Sequence, residues 1–207
     1  MTDDGIGRTR RALHAVAEHV LAGPQYRASG TIRLRVAPGG FRTWAEPALA
    51  VVGDTVVHGA TVHPISGRTA RELAAACGVE VGAPAGVYGD GGGLGPDDVL
   101  EVDPGAARLI ADAYARGDAA LRLLAPGVEP VLWPEHFDVG VRVGEVNFGV
   151  SPGDADLAEP YAYVGVDPVP DDPYWNAPFG RAAPMAELAT IDDVWDFFDE
   201  GRRRAGQ

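Results

Sequence analysis

The chain has no lysine: all 17 of its basic residues are arginine. Without a lysine amine there is no Schiff base to a carbonyl substrate or to pyridoxal phosphate, and no P-loop cation for a nucleotide phosphate. Cysteine is nearly absent as well. The single Cys77 excludes an internal disulfide and a thiolate metal cluster, and its setting among alanines makes it a small apolar filler. Three serines, Ser29, Ser66 and Ser151, all fall outside G-x-S-x-G, so the nucleophile elbow of an α/β-hydrolase is missing. There is no apolar run of roughly 18 residues, which argues against a membrane-spanning helix. The apolar stretch near the start is broken by His14, Glu18 and His19, and no small-residue cleavage site follows it. No secretory leader is read there, and a cytoplasmic location is expected.

Positive charge is scarce too. Against 30 acidic residues the 17 arginines leave a net charge of −13, which disfavours nucleic acid as a partner, because a phosphate backbone needs a basic footprint. The arginines cluster near the two ends, at Arg8, Arg10 and Arg11 and at Arg202 to Arg204, as solvated helix flanks. With 207 residues, 46% of them hydrophobic, the chain can bury a real core as a single domain. A sub-division near residue 100 is the alternative organisation.

What is present falls into blocks. Leu13, Val16, Val20 and Leu21 recur at helical spacing and predict a first helix over 9–22, stopped by Gly23-Pro24. Ile32, Leu34 and Val36 alternate with Thr31, Arg33 and Arg35, the period of a half-buried strand. Two apolar runs joined at Gly53-Asp54 predict a hairpin. Residues 68–77 predict a short helix. The glycine-rich segment 81–98 has no periodicity and never spells G-x-G-x-x-G. The acidic residues after it would repel phosphate, so a mobile surface loop that binds no nucleotide is expected. Asp103 as cap and Pro104 at the first helical position open a long helix whose apolar face is read as Leu109, Ile110, Ala113, Leu121 and Leu124. A strand over 159–166 follows the central hairpin, then a proline-rich connector over 167–184. The last helix is capped by Thr190, carries Ile191, Val194, Phe197 and Phe198 as its stripe, and ends in arginines that suit its dipole. Helices and strands come in blocks, with strand pairs joined by short turns. That predicts an α+β fold, a mainly antiparallel sheet with hairpins packed by about four helices.

The segment Leu132 to Asp154 is the most informative. With Gly144-Glu145 as a two-residue turn, Phe137, Val139, Val141, Val143, Val146, Phe148 and Val150 all fall on one face. The other face carries His136, Asp138, Gly140 and Arg142 against Asn147, Gly149 and Ser151. Gly140 stands opposite Gly149, a bare patch of the kind that marks close approach by a ligand or another element. Two readings follow. In one, the connector aromatics Tyr174, Trp175 and Phe179 fold over the glycines. In the other, a small molecule lies there, with His136 as acid or base, Asp138 hydrogen-bonded to its ring, and Arg142 and Asn147 holding an anionic group. Ser151, Tyr163 and Trp175 complete the candidate ligand contacts. An Asp138–Arg142 ion pair is the bland version of the same face.

The five histidines do not combine into a metal site. His14 and His19 stand about 140° apart around a helix and cannot share an ion. His58 and His63 fall on opposite faces across Gly59. Of Glu135, His136 and Asp138, only the last two share a strand face. No metal site and no cofactor is predicted.

The segments LHAVAEHVL, TIRLRVAPGGFRT, LWPEHFDVGV, SPGDADLAEPYAYVGV and WNAPFG, spread over most of the chain, resemble an uncharacterised family of actinobacterial proteins. The resemblance implies a cytoplasmic protein; it supplies no reaction and carries over no catalytic residue. The function expected from these residues is a small-molecule-binding protein or enzyme with its pocket on the 136–151 hairpin. Its rivals are a non-catalytic interaction protein, such as a homodimer, and a metal-dependent hydrolase.

Overall fold

The computed structural model describes residues 5–89 and 91–206. Its centre is a ten-stranded sheet of order β10-β9-β8-β7-β6-β1-β2-β3-β4-β5. The first meander is β1 (Leu34–Ala37), β2 (Gly40–Thr43), β3 (Leu49–Val52), β4 (Thr55–His58) and β5 (Thr61–Pro64). The second is β6 (Val131–Trp133), β7 (Asp138–Val143), β8 (Val146–Ser151), β9 (Tyr161–Gly165) and β10 (Gly180–Pro184). Each neighbouring pair is antiparallel, and β1 joins β6 at Leu34 and Leu132, so the two meanders make one sheet. Between them in sequence lie α3 (Ala70–Ala76) and α4 (Pro104–Leu124), and α5 (Ile191–Arg204) closes the chain. The fold is α+β with an antiparallel sheet.

The N-terminal helix departs from its predicted end. α1 (Gly5–Val16) runs on through a π-helical turn (Ala17–Ala22) into α2 (Gly23–Ser29), so Gly23-Pro24 does not stop it. The wider turn is how the helix absorbs the proline. Gly23 N–H bonds back five residues to the Glu18 carbonyl. At that spacing the His19 carbonyl would need the N–H that Pro24 lacks. Gly82 supplies it from outside, at 3.0 Å. The strand read over 31–36 is shortened to β1 by the same helix. Buried Gln25 donates to the Thr31 and Arg33 carbonyls at 2.9 Å each and accepts from Trp44 and Ala45 N–H at 2.6 and 2.8 Å.

The helices share one side of the sheet. α4 lies across β1, β2, β7 and β8, α5 packs on α4 and β9, and α1 packs on α4. Asp103 caps α4 by accepting from Ala106 N–H at 2.8 Å, with Pro104 at the first turn. Ile110, Ala113 and Leu121 are buried as expected, but Leu109 is 47% exposed, because a residue adjacent to Ile110 is rotated about 100° away from it. Ile191 is likewise exposed, while Val194 and Phe198 are sealed in the core. The core centres on rings: Phe148 meets Phe198 edge-on at 6.0 Å, and Phe137 meets Phe41 and Tyr114 edge-on at 5.3 and 5.7 Å. Among the described residues no helix is long and apolar enough to cross a membrane.

Candidate functional site

The β7–β8 hairpin forms in the register read from its alternation. Val139 faces Val150, Gly140 faces Gly149, Val141 faces Phe148, Arg142 faces Asn147 and Val143 faces Val146. Its valines and Phe148 point into the core under α4, so the polar side is the sheet face away from the helices. There β6 to β9 floor a cleft of about 1080 Å³, at the large end for a small-molecule site. His136, Asp138, Arg142, Asn147, Ser151 and Tyr163 all line it; Trp175 does not.

The glycine pair is a seat for Tyr163. β9 pairs with β8 so that Tyr163 lies opposite Gly149. Its ring crosses both glycines toward β7, and the hydroxyl donates to Asp138 Oδ2. Neither glycine could carry a side chain beneath it. A Cβ at Gly149 would stand 2.5 Å from Tyr163 Oη, and one at Gly140 2.9 Å from the Phe148 carbonyl oxygen and 3.3 Å from Tyr163 Oη. The expected cover by Trp175 is therefore corrected: strand register delivers a ring from β9 first. The connector turns instead toward α5. Trp175 packs on the hydrophobic core, and Tyr174 is held by the guanidinium groups of Arg181 and Arg204 at 5.2 and 4.7 Å. Only Phe179 of the connector reaches the cleft, edge-on to Tyr163 at 6.1 Å and stacked on Tyr161 at 6.3 Å.

Asp138 is the chemically unusual group. One carboxylate oxygen takes the Tyr163 hydrogen bond; the other, Oδ1, is shut off from solvent with no partner. Burial raises its pKa above the ordinary carboxylate value, against the lowering effects of the Tyr163 bond and the nearby His136. Tyr163 is pushed up in turn by burial and by the Asp138 charge. The neighbouring carboxylate behaves oppositely. Burial would raise Asp154, but bonds from Tyr161 hydroxyl (2.5 Å) and from Leu157 and Asp156 N–H (2.8 Å each) outweigh it and lower its pKa.

His136 is not the hydrogen-bond partner that its spacing from Asp138 implied. Residues 134–137 form a turn rather than strand: Phe137 N–H bonds to the Trp133 carbonyl at 2.8 Å, and Phe137 sits at φ 54°, a left-handed conformation rare for an aromatic residue. Two side chains hold this turn from the helix side. Tyr114 hydroxyl donates to the Phe137 carbonyl, and His14 Nε2–H donates to the Pro134 carbonyl at 2.6 Å while its ring stacks on Phe137. His136 is thereby exposed on the cleft rim. Arg142 is also on the rim, donating to Glu145 at 2.8 Å and to the Gly144 carbonyl at 3.1 Å, and it makes no ion pair with Asp138. Asn147 is exposed, and buried Ser151 accepts from Gly153 N–H at 3.1 Å. Arg33 is a second cleft cation, stacked over Trp133 at 5.9 Å. Sequence spacing pointed to neither Arg33 nor Asp154 as a cleft residue, because both arrive through pairing of distant segments. Among the described residues no three His, Cys, Asp or Glu side chains converge as a metal site.

Comparison with family models, with curated proteins and with solved structures returns no match.

Proposed function

We propose that the protein binds a small organic molecule on the outer face of β6–β9 and that Asp138 handles a proton there. The observation that carries this reading is the state of Asp138: a carboxyl group in a cleft, one oxygen held by Tyr163 and the other desolvated and unused. A desolvated carboxyl whose pKa is raised holds its proton more readily than an ordinary carboxylate, which suits it to give and take one. Asp154, held ionised by its hydrogen bonds in the same cleft, supplies the fixed charge. Environments that push two carboxyls in opposite directions separate an acid from a charge stabiliser. His136 on the rim is a second proton carrier, and Arg33 and Arg142 would hold an anionic part of the molecule, as guanidinium groups do well. Tyr161, Tyr163 and Phe179 offer the flat apolar wall.

The test is a thermal-shift screen of small carboxylates, phosphates and sugars on wild type, Asp138→Asn, His136→Ala and Arg142→Ala. A ligand should stabilise wild type and lose most of its effect with Asp138→Asn. Ligands that stabilise all four proteins equally would place the binding elsewhere.

A further inference from the structure

Beyond the cleft, the same sheet face carries arginines that have no acidic partner. One residue on from the Leu34–Leu132 pair, Arg35 stands on β1 beside Val131, whose other neighbour is Gly140 on the cleft floor. Leu34 and Leu132 are buried under the helices, so Arg35 and Val131 point to the opposite face. Arg35 pairs in turn with Arg42 on β2. Like charges set directly opposite each other on neighbouring strands repel. The chain has acidic residues to spare, 30 against 17 arginines. Yet among the described residues neither Arg35 nor Arg42 makes an ion pair, and neither does Arg33 at the cleft edge.

Tryptophans hold these guanidinium groups in place. Arg33 lies over Trp133 at 5.9 Å and Arg35 over Trp44 at 5.0 Å, and Arg35 Nη2 donates to the Trp44 carbonyl at 2.8 Å. Arg35 Nε is shut off from solvent with no partner, and Arg42 is exposed. Stacking fixes where the groups sit without using up their donors. The arginines also connect to the chemistry of the cleft. Trp133 on β6 pairs with Asp138 on β7, so Arg33, Trp133 and Asp138 lie in line across the sheet. β1 stands two strands from β7, about 10 Å at the usual strand spacing, a span that a monosaccharide carrying one phosphate bridges. At the other rim Arg142 is already paired with Glu145 at 2.8 Å. The positive end of the cleft is therefore the β1–β2 end.

We propose that Arg33, Arg35 and Arg42 form a phosphate subsite at the edge of the cleft, and that the cleft ligand is a hydroxylated phosphomonoester. The hydroxylated end rests on the reading of Asp138 given above; the phosphate end stands on the arginines alone. Two guanidinium groups opposed across a strand pair, with a third beside them, suit a dianion with three terminal oxygens better than a carboxylate of single charge. At the other end Asp138 Oδ1, which has no partner, meets a hydroxyl. A hydroxyl fits either form of that group, since it donates to a carboxylate and accepts from a carboxyl.

The experiment is an NMR titration of the full chain, read at backbone amides and arginine Nε–H groups. The probes are inorganic phosphate, glucose 6-phosphate, glucuronate and glucose, with ionic strength held constant by sodium chloride. Both phosphates should give saturable shifts at Arg35 and Arg42, and glucose 6-phosphate should also shift Asp138 and Tyr163. Arg42→Gln and Arg35→Gln should each weaken both phosphates about tenfold. If Arg35→Gln does not fold, Arg42→Gln, a change at an exposed side chain, decides the matter. No saturable phosphate response at Arg35 and Arg42, or one that survives these substitutions, would overturn the proposal. So would glucuronate binding as tightly as glucose 6-phosphate, or saturation by polyglutamate or a single-stranded oligonucleotide with no response to the phosphates. Asp138→Asn separates the two readings. It should weaken glucose 6-phosphate and leave inorganic phosphate bound. A glucose 6-phosphate response indifferent to Asp138→Asn would keep the arginine subsite and overturn the role given to Asp138.

Discussion

Tyr163 and Asp138 meet across two strands: the tyrosine on β9 passes over Gly149 on β8 and donates to the aspartate on β7. The bond exists because no side chain stands between them. It fixes one carboxylate oxygen and leaves the other desolvated, and the chemistry of the cleft follows from that asymmetry.

Asp138→Asn tests the cost of that carboxylate. Burial raises its folded-state pKa above 3.8, so the folded chain holds this proton more tightly than the unfolded chain does. Its contribution to stability therefore falls as pH rises from the ordinary carboxylate value through the raised one, and is flat above it. Urea unfolding of wild type and Asp138→Asn between about pH 4 and pH 8 should show the wild type losing ground to the variant across that window. A difference that moves in the wild type's favour with rising pH would show that the ionised form is the one the fold stabilises.

Gly149→Ala should expel the Tyr163 ring and strain the β7–β8 pairing, since the new methyl would lie within 2.6 Å of Tyr163 Oη and Cζ and of the Val139 carbonyl oxygen. A loss of about 1–3 kcal/mol is expected from this overpacking. Carbon-detected titration should show the Asp138 pKa rising further, because a bond to the charged form has gone. Tyr163→Phe should raise it similarly, and the double variant should add little. An unchanged titration in Gly149→Ala would mean the ring had found another path to Asp138.

Phe148→Ala removes a fully buried ring that meets Phe198 edge-on and holds the hairpin to α5. Chemical denaturation should report a cost of about 3–5 kcal/mol. A loss below about 1 kcal/mol would mean that α5 collapses into the space left behind.

Gln25→Leu tests the staple between α2 and the first strands. The amide satisfies two carbonyls and two N–H groups, and an aliphatic chain of similar size strands all four. The expected cost is about 3 kcal/mol or more, given roughly 1–3 kcal/mol for each buried group left unpaired. Gln25→Glu should also destabilise, because it keeps the acceptors and loses the donors. Stability equal to wild type in both would show that water enters in place of the amide.

The sequence by itself determined the local pairings. Period-two alternation places Val139, Val141, Phe148 and Val150 on one face and fixes the β7–β8 register, since a one-residue slip would turn all of them into water. Asp103-Pro104 and Thr190 likewise mark helix starts, because a cap acts within one turn of chain. What sits over Gly140 and Gly149 was not legible. Both a connector tryptophan and a strand tyrosine could reach them, and only the β8–β9 register chose Tyr163. The partner of Asp138 was decided the same way, since the turn at 134–137 takes His136 out of the strand alternation that would have aimed it inward. The place of the glycine-rich segment, whose Gly92 N–H donates to Glu18 Oε2 at 2.7 Å, was hidden too. Its composition specifies only a chain free to bend, and Glu18 shows only as a charge interrupting an apolar helix. Their meeting depends on a proline tolerated in mid-helix by a π-helical turn and on contacts between positions 74 residues apart. Local forces set each element's period and ends; the charge and ring contacts that give the sites their chemistry are long-range, and tertiary packing alone brings them together.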